Sequence, residues 1–312
     1  MMNGSRDIVT RRAAIIHAVR SFFDARGYTE VNTPLLIDAP LPERHIDAFS
    51  VADGYLITSP EPYMKMLLAD GLECIYQVTP CFRQGERGAR HSPEFVMLEW
   101  YRTGARYRDL VDDARELLCH VANAANGSCA LTYGDCTVAL DGEWEWLSVD
   151  DAYRRVTGRE LSDLSDDFLF DEAMARIEPE LGLAVPCVLY DYPSVHSPMS
   201  QPCADNPGRA QRLELYVAGV ELANGCTELR DAALQAENVR KEREARQAAG
   251  KDPYPWPERF LERVGELPPC AGMALGIDRL VMLMCDLRTV AEARGHVQET
   301  GDRRQKSGEG MD

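Results

Sequence analysis

The chain has 312 residues, 45% of them hydrophobic, which is enough to bury one large core or two small ones. Its formal net charge of −17 excludes a general nucleic-acid surface, which needs the opposite sign. No stretch approaches the roughly 18 apolar residues of a membrane span.

The N-terminus, "MMNGSRDIVTRRAAIIHAVRSFF", has no apolar segment followed by a small-residue cleavage site, so no secretion signal is expected. Ile8, Ile15, Ile16, Val19, Phe22 and Phe23 share one face of a helix predicted over 7–26, with Gly27 placed to end it. Two phenylalanines and several isoleucines exceed what one core face needs, and the excess points to a self-association surface. "YTEVNTP" follows as a short strand stopped by Pro34. "GYLITSPEPYMKMLLADG" reads as a strand, a turn at Ser59-Pro60-Glu61-Pro62 and a helix over 63–70. "CIYQVTPCFR" and "EFVMLEWYR" are strands of a long hairpin over 74–102, joined by a polar loop with Gly85 and Gly88.

Helices are predicted over 109–125 and 166–180, with weaker β and loop sequence between them and a short helix at 149–157. "RLELYVAGVELANG" is a second hairpin over 212–225, turning near Ala218-Gly219. "TELRDAALQAENVRKEREARQAAG" is a charged helix ending at Gly250, "KDPYPWP" breaks the chain, and "AGMALGIDRLVMLMC" is a strand entering a helix. The tail from 298 is polar and is expected to fray. The pattern is that of one α+β domain over 1–297, with an antiparallel sheet flanked by helices. The ten cysteines never form C-x-x-C and lack a His pair at zinc spacing, so they read as small buried hydrophobes of a reducing cytosol.

The chemistry gathers at 81–102, where Arg83, Arg87, Arg90 and Arg102 surround a half-apolar strand. Alternation from Glu94 puts Phe95, Met97, Glu99 and Tyr101 on one face and Val96, Leu98 and Trp100 on the other. A carboxylate on a core-facing strand needs a cationic partner, and Arg83 on the paired strand is the plain structural candidate. The second hairpin adds Glu214 and Glu221 as diagonal neighbours on one face, a pair that repels unless a cation lies between them. A hard divalent ion such as Mg²⁺ suits two carboxylates plus phosphate oxygens, whereas the bland alternative is a solvated edge. Leu213, Leu215, Val217 and Val220 are too apolar for an edge. Asn224 and Glu228 add two polar groups beside "ANG". Gly272 and Gly276 permit close backbone approach before Arg279 opens a helix, a weak signal taken alone.

Together these stretches resemble class II aminoacyl-tRNA synthetases. F-R with its acidic loop, H-S-P-E-F and L-E-W-Y resemble motif 2, G-I-D-R-L resembles motif 3, and the helix and strand of 11–36 resemble motif 1. "ELANGCTEL" and "RHSPEFVMLEWY" bring the lysine-specific branch nearest, over about residues 6–292. Motif 1 begins near residue 10, so no anticodon-binding domain is expected before it. That truncated form resembles the elongation factor P–lysine lysyltransferases, synthetase paralogues that charge a protein lysine instead of a tRNA.

The resemblance implies a cytoplasmic, homodimeric ligase that uses ATP and Mg²⁺. It would activate lysine or (R)-β-lysine as an adenylate and transfer it to a lysine of elongation factor P, with no tRNA. By resemblance Arg83 binds the α-phosphate and the substrate carboxylate, and Arg279 joins it in catalysis. ATP would contact Gln84, Gly85, His91, Ser92, Phe95, Glu221, Leu222 and Gly276, with Phe95 stacked on adenine and Arg90 and His91 near the outer phosphates. Glu214 and Glu221 would hold Mg²⁺. The amino acid would lie on Ser59, Pro60 and Glu61, with Glu61 on the backbone amine and Glu228, Glu99, Tyr101 and Asn224 around the ε-ammonium.

Three departures from the synthetase pattern stand out. Gly85 replaces the acidic residue of F-R-x-E, so backbone carbonyls or Glu86 must meet the adenine amino group. Ser92 replaces asparagine. Ala274 replaces glycine and puts a methyl near the amino-acid pocket, a feature shared with the lysyltransferases. Two alternatives stay open: a minimal enzyme that charges tRNA, and a catalytically silent module that senses amino acids.

Overall fold

The long hairpin forms as β5 (Cys74–Phe82) and β6 (Glu94–Thr103), paired antiparallel from Cys74↔Arg102 to Phe82↔Glu94 in a computed structural model that describes residues 2–161 and 167–295. Before it run α1 (Met2–Asp24), β1 (Thr29–Glu30), β2 (Leu36–Ile37), β3 (Ser50–Val51), β4 (Gly54–Leu56) and α2 (Glu61–Ala69). After it come α3 (Asp109–Asn126), β7 (Ala130–Tyr133), β8 (Cys136–Ala139), β9 (Glu145–Ser148), α4 (Val149–Thr157), α5 (Asp167–Ile177) and β10 (Cys187–Tyr190). The C-terminal third holds β11 (Arg212–Val217), β12 (Val220–Thr227), α6 (Ala232–Ala248), α7 (Glu258–Arg263), β13 (Cys270–Gly276), α8 (Ile277–Met284) and α9 (Val290–Ala293). The expected polar tail and the first residue of the 166–180 helix lie outside the described residues.

Eight strands make one sheet in the order β1-β5-β6-β13-β12-β11-β10-β9. Its middle six strands are antiparallel, as expected, but both edge pairs, β1 with β5 and β9 with β10, are parallel. These edge strands are two and four residues long, too short for alternation to reveal their partners.

Alternation divides the central strands cleanly. Leu98 and Trp100 of β6, Leu213, Leu215 and Val217 of β11, and Ala271, Met273 and Leu275 of β13 enter one apolar core. Helices α1, α3 and α8 cover that face, contributing Phe22, Phe23, Leu117, Leu118 and Leu280–Leu283. Phe22 and Phe23 are therefore interior residues, 1% and 0% exposed, and not the self-association surface expected of them. The sheet and α3 bury both sides of this helix, which is why it needs more apolar residues than one face.

Helix starts follow their caps. Asp231 accepts from the Ala233 and Leu234 amides and delays α6 to residue 232, because 227–230 are still held beside the sheet, Glu228 N donating to the Cys270 carbonyl. Helix α2 begins at Glu61, two residues earlier than expected, because Pro62 in its first turn lacks only an amide that the helix would leave unpaired. The second hairpin turns at Ala218 and Gly219, both in the left-handed region at φ 51° and 70°. Cys119 and Cys129, with Cα atoms 4.7 Å apart, form a disulfide, correcting the expectation of ten reduced thiols. The left-handed turn at Gly127 folds β7 back against the last turns of α3 and brings the pair together.

Gly272 is the tightest point of the face opposite the core. A Cβ there would overlap the ring of Tyr101, its cross-strand partner. Gly272→Ala should displace Tyr101 and destabilise the protein by roughly 1–3 kcal/mol, as overpacking does, and urea unfolding should show a lowered midpoint. An unchanged midpoint would mean that the ring swings aside freely.

Candidate active site

The open face of the sheet carries the residues that alternation withholds from the core, several of them charged: Met97, Glu99 and Tyr101 on β6, Gly272, Ala274 and Gly276 on β13, and Arg212, Glu214 and Tyr216 on β11. Strand β12 breaks the alternation. Tyr216 pairs with Glu221 but Leu215 pairs with Ala223, so Leu222 is an extra residue. This bulge turns Asn224, Cys226 and Glu228 to the same face as Glu221, whereas plain alternation would have put 223 and 225 there. Asn224 then pairs with Ala274, which in turn pairs with Glu99.

Two clefts meet on this face. The first, about 140 Å³, is lined by Phe95, His91, Ser92, Leu222, Gly276 and Arg279. The second, about 350 Å³, is lined by Ser59, Glu61, Glu99, Tyr101 and Glu228. Arg83, Met97, Glu221, Asn224 and Ala274 border both, so the guanidinium of Arg83 stands at the seam. Its Nε donates to the Thr58 carbonyl at 3.3 Å, Nη1 lies 3.6 Å from Glu86, and its Cζ is 5.1 Å from the centroid of the Phe95 ring. Arg83 does not pair with Glu99, because Gln77 is the residue opposite Glu99 on β5.

In the first cleft Arg279 reaches across three elements. Its Nη1 donates to the Glu221 carbonyl at 2.6 Å and to Glu221 Oε2 at 2.9 Å, Nε donates to the Arg90 carbonyl at 3.2 Å, and Nη2 lies 2.8 Å from His91 Nε2. Burial and then the Arg279 charge lower the His91 pKa, which keeps the ring neutral. Gln84 and Gly85 line neither cleft. The Gln84 amide instead donates to the Asp47 carbonyl at 2.6 Å, and Gly85 turns the chain at φ 85°. Glu86 does line the first cleft and is placed to substitute for a side chain at 85.

The second cleft is an acidic box. Glu99 is 2% exposed; Oε1 accepts from the Tyr101 hydroxyl at 2.6 Å, while Oε2 meets no hydrogen-bond partner among the described residues. Burial raises its pKa to about 8, with the Glu61 charge adding to the effect. Burial also raises Glu228 to about 7, against the lowering by Lys65. Pro60 stays outside the lining and sets the start of α2, so of the expected Ser59-Pro60-Glu61 contact only Ser59 and Glu61 face the cleft.

A third cleft of about 380 Å³ opens beside the second and shares Glu43, Arg212, Glu214 and Glu221 with it. Glu214 is held by Arg212 and by the hydroxyls of Tyr192 and Tyr216, each at 2.6 Å. Burial raises the Glu214 pKa, whereas in Glu221 burial is outweighed by the charge and hydrogen bond of Arg279 together with Arg212 and Arg83, and the pKa is lowered. Both tyrosines bond to Glu214 Oε2, so Oε1 meets Arg212 and keeps a lone pair, and Arg279 engages Glu221 through Oε2. Among the described residues no three metal-ligating side chains form a cage. The two carboxylates fit Mg²⁺ only as partial ligands, with phosphate oxygens completing the shell.

Sequence reasoning missed Lys65, Arg212, Glu43 and Glu178. Lys65 had a faint signal, a lysine four residues after Glu61 in the apolar run "MKMLL". Arg212 sits two residues before Glu214, hence on its face. Glu43, in a loop, and Glu178, in the 3₁₀ turn directly after α5, are both raised by burial to about 7, and no local pattern reveals that they reach the cleft.

A largely antiparallel sheet with a seam arginine between a cleft lined by Phe95 and His91 and an acidic cleft, and a second arginine at the start of the helix after the last strand, defines the catalytic core of a class II aminoacyl-tRNA synthetase. A profile of the family "tRNA synthetases class II (D, K and N)" matches residues 2–298. The elongation factor P–(R)-β-lysine ligase of Vibrio atlanticus (strain LGP32) is 34% identical, covering 88% of this chain and 90% of that protein. That of Edwardsiella ictaluri (strain 93-146) is 36% identical, covering 90% and 92%. The lysine–tRNA ligase of Thiobacillus denitrificans (strain ATCC 25259 / T1) is 31% identical, covering 92% of this chain but 63% of that protein. The chain belongs to the class II synthetase family, in the branch of the elongation factor P–(R)-β-lysine ligases, and is an ATP-dependent ligase.

Glu99 and Glu228 keep their protons to about 8 and about 7 in the fold but release them near 4.5 when unfolded. Glu43 and Glu178 act in the same direction, and His91, below its ordinary 6.5, opposes them. Between roughly pH 5 and 8 the folded chain therefore binds more protons than the unfolded one, and stability must fall as pH rises. The Tm of the empty protein should decline across that range, and Glu99→Gln should flatten the decline. A Tm that rises from pH 5 to 8 would show that water relieves these carboxyls.

Proposed function

We propose that the enzyme activates lysine or (R)-β-lysine with ATP and transfers the acyl group to the ε-amino group of a lysine of elongation factor P. The observation that carries this reading is Arg83 at the seam of the two clefts, where an α-phosphate and an amino-acid carboxylate must meet. The names of the relatives in this branch supply the acceptor.

In the first step the adenine packs between Phe95 and Arg279, with His91 and Arg90 toward the outer phosphates. A carboxylate oxygen of the amino acid attacks the α-phosphorus, the bond to pyrophosphate breaks, and pyrophosphate leaves with the electron pair. Negative charge builds on the α-phosphoryl oxygens beside Arg83, and a preorganised donor there is typically worth ~3–4 kcal/mol. Glu214 and Glu221 would hold Mg²⁺, which when bound neutralises phosphate charge. Glu61 takes one substrate ammonium, while Glu228, Glu99, Tyr101 and Asn224 surround the other. In the second step the acceptor amine attacks the acyl carbon and AMP departs. The chain's own part is positioning and charge stabilisation, with no covalent enzyme intermediate.

A partner in translation supports reading this as a cytoplasmic enzyme. We further read the enzyme as a homodimer, now on different residues from those the sequence suggested: Val9, Leu35, Leu36 and Val51 are 39–54% exposed near the start of the chain.

The deciding experiment incubates the protein with ATP, Mg²⁺ and each lysine isomer, together with elongation factor P or tRNA, and weighs the products. Elongation factor P heavier by one lysyl group is expected. Charged tRNA would favour the minimal synthetase, and no product with either would favour a silent module. Sedimentation of the same sample at micromolar concentration should give twice the chain mass, and a single-chain mass would exclude the dimer. Ala274 borders both clefts between Glu99 and Asn224, so its methyl can favour the path of β-lysine. Ala274→Gly should shift the β-lysine to lysine ratio of kcat/KM toward lysine, by no more than the roughly 10–200-fold that one methyl commands. An unchanged ratio would move the determinant to Ser59 and Glu61.

A further inference from the structure

Lys65 projects from α2 behind the Glu61 and Glu228 side chains that line the acidic cleft, and is 1% exposed. Its Nζ lies 2.6 Å from Glu61 Oε1 and forms a second ion pair with Glu228 Oε2. The two carboxylates assigned to opposite ends of the amino acid are thus joined by one ammonium of the protein itself. Across the cleft Glu99 points Oε2 at no partner among the described residues.

The floor therefore holds three carboxylates, Glu61, Glu99 and Glu228, and one ammonium. Glu99 keeps its proton in the empty cleft, but an entering ammonium favours its ionised form, and with all three carboxylates ionised two negative charges stand uncompensated on this floor. Lysine and β-lysine each carry two ammonium groups, and their carboxylate has Arg83 at the seam. A floor without Lys65 would carry three negative charges, those of Glu99 and Glu228 on residues only 2% exposed. It would relieve them by taking up a proton, because an isolated buried carboxylate does not stay charged.

We propose that Lys65 is a positioning residue that sets the charge deficit of the amino-acid cleft at two and thereby selects substrates with two ammonium groups. It does so by pairing with Glu61 and Glu228 at once, which favours the ionised form of Glu228, without itself touching the substrate. The inference rests on the reading of the cleft as a lysine or β-lysine site.

Glu228, the group through which Lys65 acts most directly, is faced by Lys65 and Glu61 from α2, Glu99 and Tyr101 from β6, Cys226 from β12 and Cys270 from β13. Lys65 is the sole cation of that set. It lowers the Glu228 pKa, so its removal must raise it, and the ionised form then requires a higher pH. A lysine that merely stapled α2 to the sheet would leave the pH dependence of substrate use untouched.

The test is ATP–pyrophosphate exchange by the full chain from pH 6 to 9, with lysine, β-lysine and norleucine, in Lys65→Met, Lys65→Gln and Lys65→Arg. The two neutral variants should raise KM for both diamines by at least about 10-fold, the scale of an uncompensated buried charge. The KM for ATP should stay within about twofold, and the acid limb of kcat/KM for the diamines should move up by about one pH unit, the size of a typical neighbouring-charge effect. Preference for lysine over norleucine should shrink in both. Lys65→Arg should keep the acid limb in place. Lys65→Gln, which can still donate to one carboxylate, decides the matter if Lys65→Met does not fold. Wild-type exchange with an unmoved acid limb and unmoved selectivity in the folded neutral variants would overturn this proposal alone. Wild-type exchange with neither diamine would overturn it together with the reading of the cleft.

Discussion

The structure depends on compensating the carboxylates buried on the open face of the sheet. Glu99, Glu214, Glu221 and Glu228 lie within a few strands of one another, and an unpaired charge there would cost several kcal/mol. Each is answered differently. Arg212 and two tyrosines hold Glu214, Arg279 holds Glu221, Lys65 holds Glu228, and Glu99 is left with a phenol and a retained proton. The overall acidity of the chain is thus compatible with a site that handles anions, because cations are concentrated where phosphate and carboxylate must sit.

The division of labour between the two sheet faces makes this possible. Helices α1, α3 and α8 cover one face completely with apolar contacts, which frees the other to carry groups that would be intolerable in a core. The bulge at Leu222 then adds what alternation alone forbids: four polar residues, Glu221, Asn224, Cys226 and Glu228, on the same side. Gly272 and Ala274 keep the facing strand thin, so that the cleft floor reaches the sheet itself.

Much of this was legible locally. Period-two alternation identified Phe95, Met97, Glu99 and Tyr101 as one face, and Leu98 and Trp100 as the other. Glycine punctuation located the turn at Ala218-Gly219. Other features were not legible, each for a physical reason. Apolar content did not reveal that Phe22 and Phe23 are interior, because burial depends on how many layers cover a helix. The parallel edge strands are too short to carry a pattern, and the disulfide joins cysteines brought together by a turn. Gln84 and Gly85 carry the synthetase motif yet turn away from the clefts, since a backbone bridge to Asp47 fixes them elsewhere.

By itself the sequence determined the class of fold, the sheet faces and the set of motif residues, because strand alternation, helix periodicity and turn chemistry act over a few neighbouring positions. Only the tertiary structure decided which of those residues share a cleft, that Arg83 stands between two clefts and not beside Glu99, and that Lys65 joins Glu61 to Glu228. Those outcomes depend on register, on one inserted residue in β12, and on the packing of α2 against the sheet across 163 positions of chain between Lys65 and Glu228. Charge compensation at such separations is settled by where the backbone brings the groups, which no local pattern records.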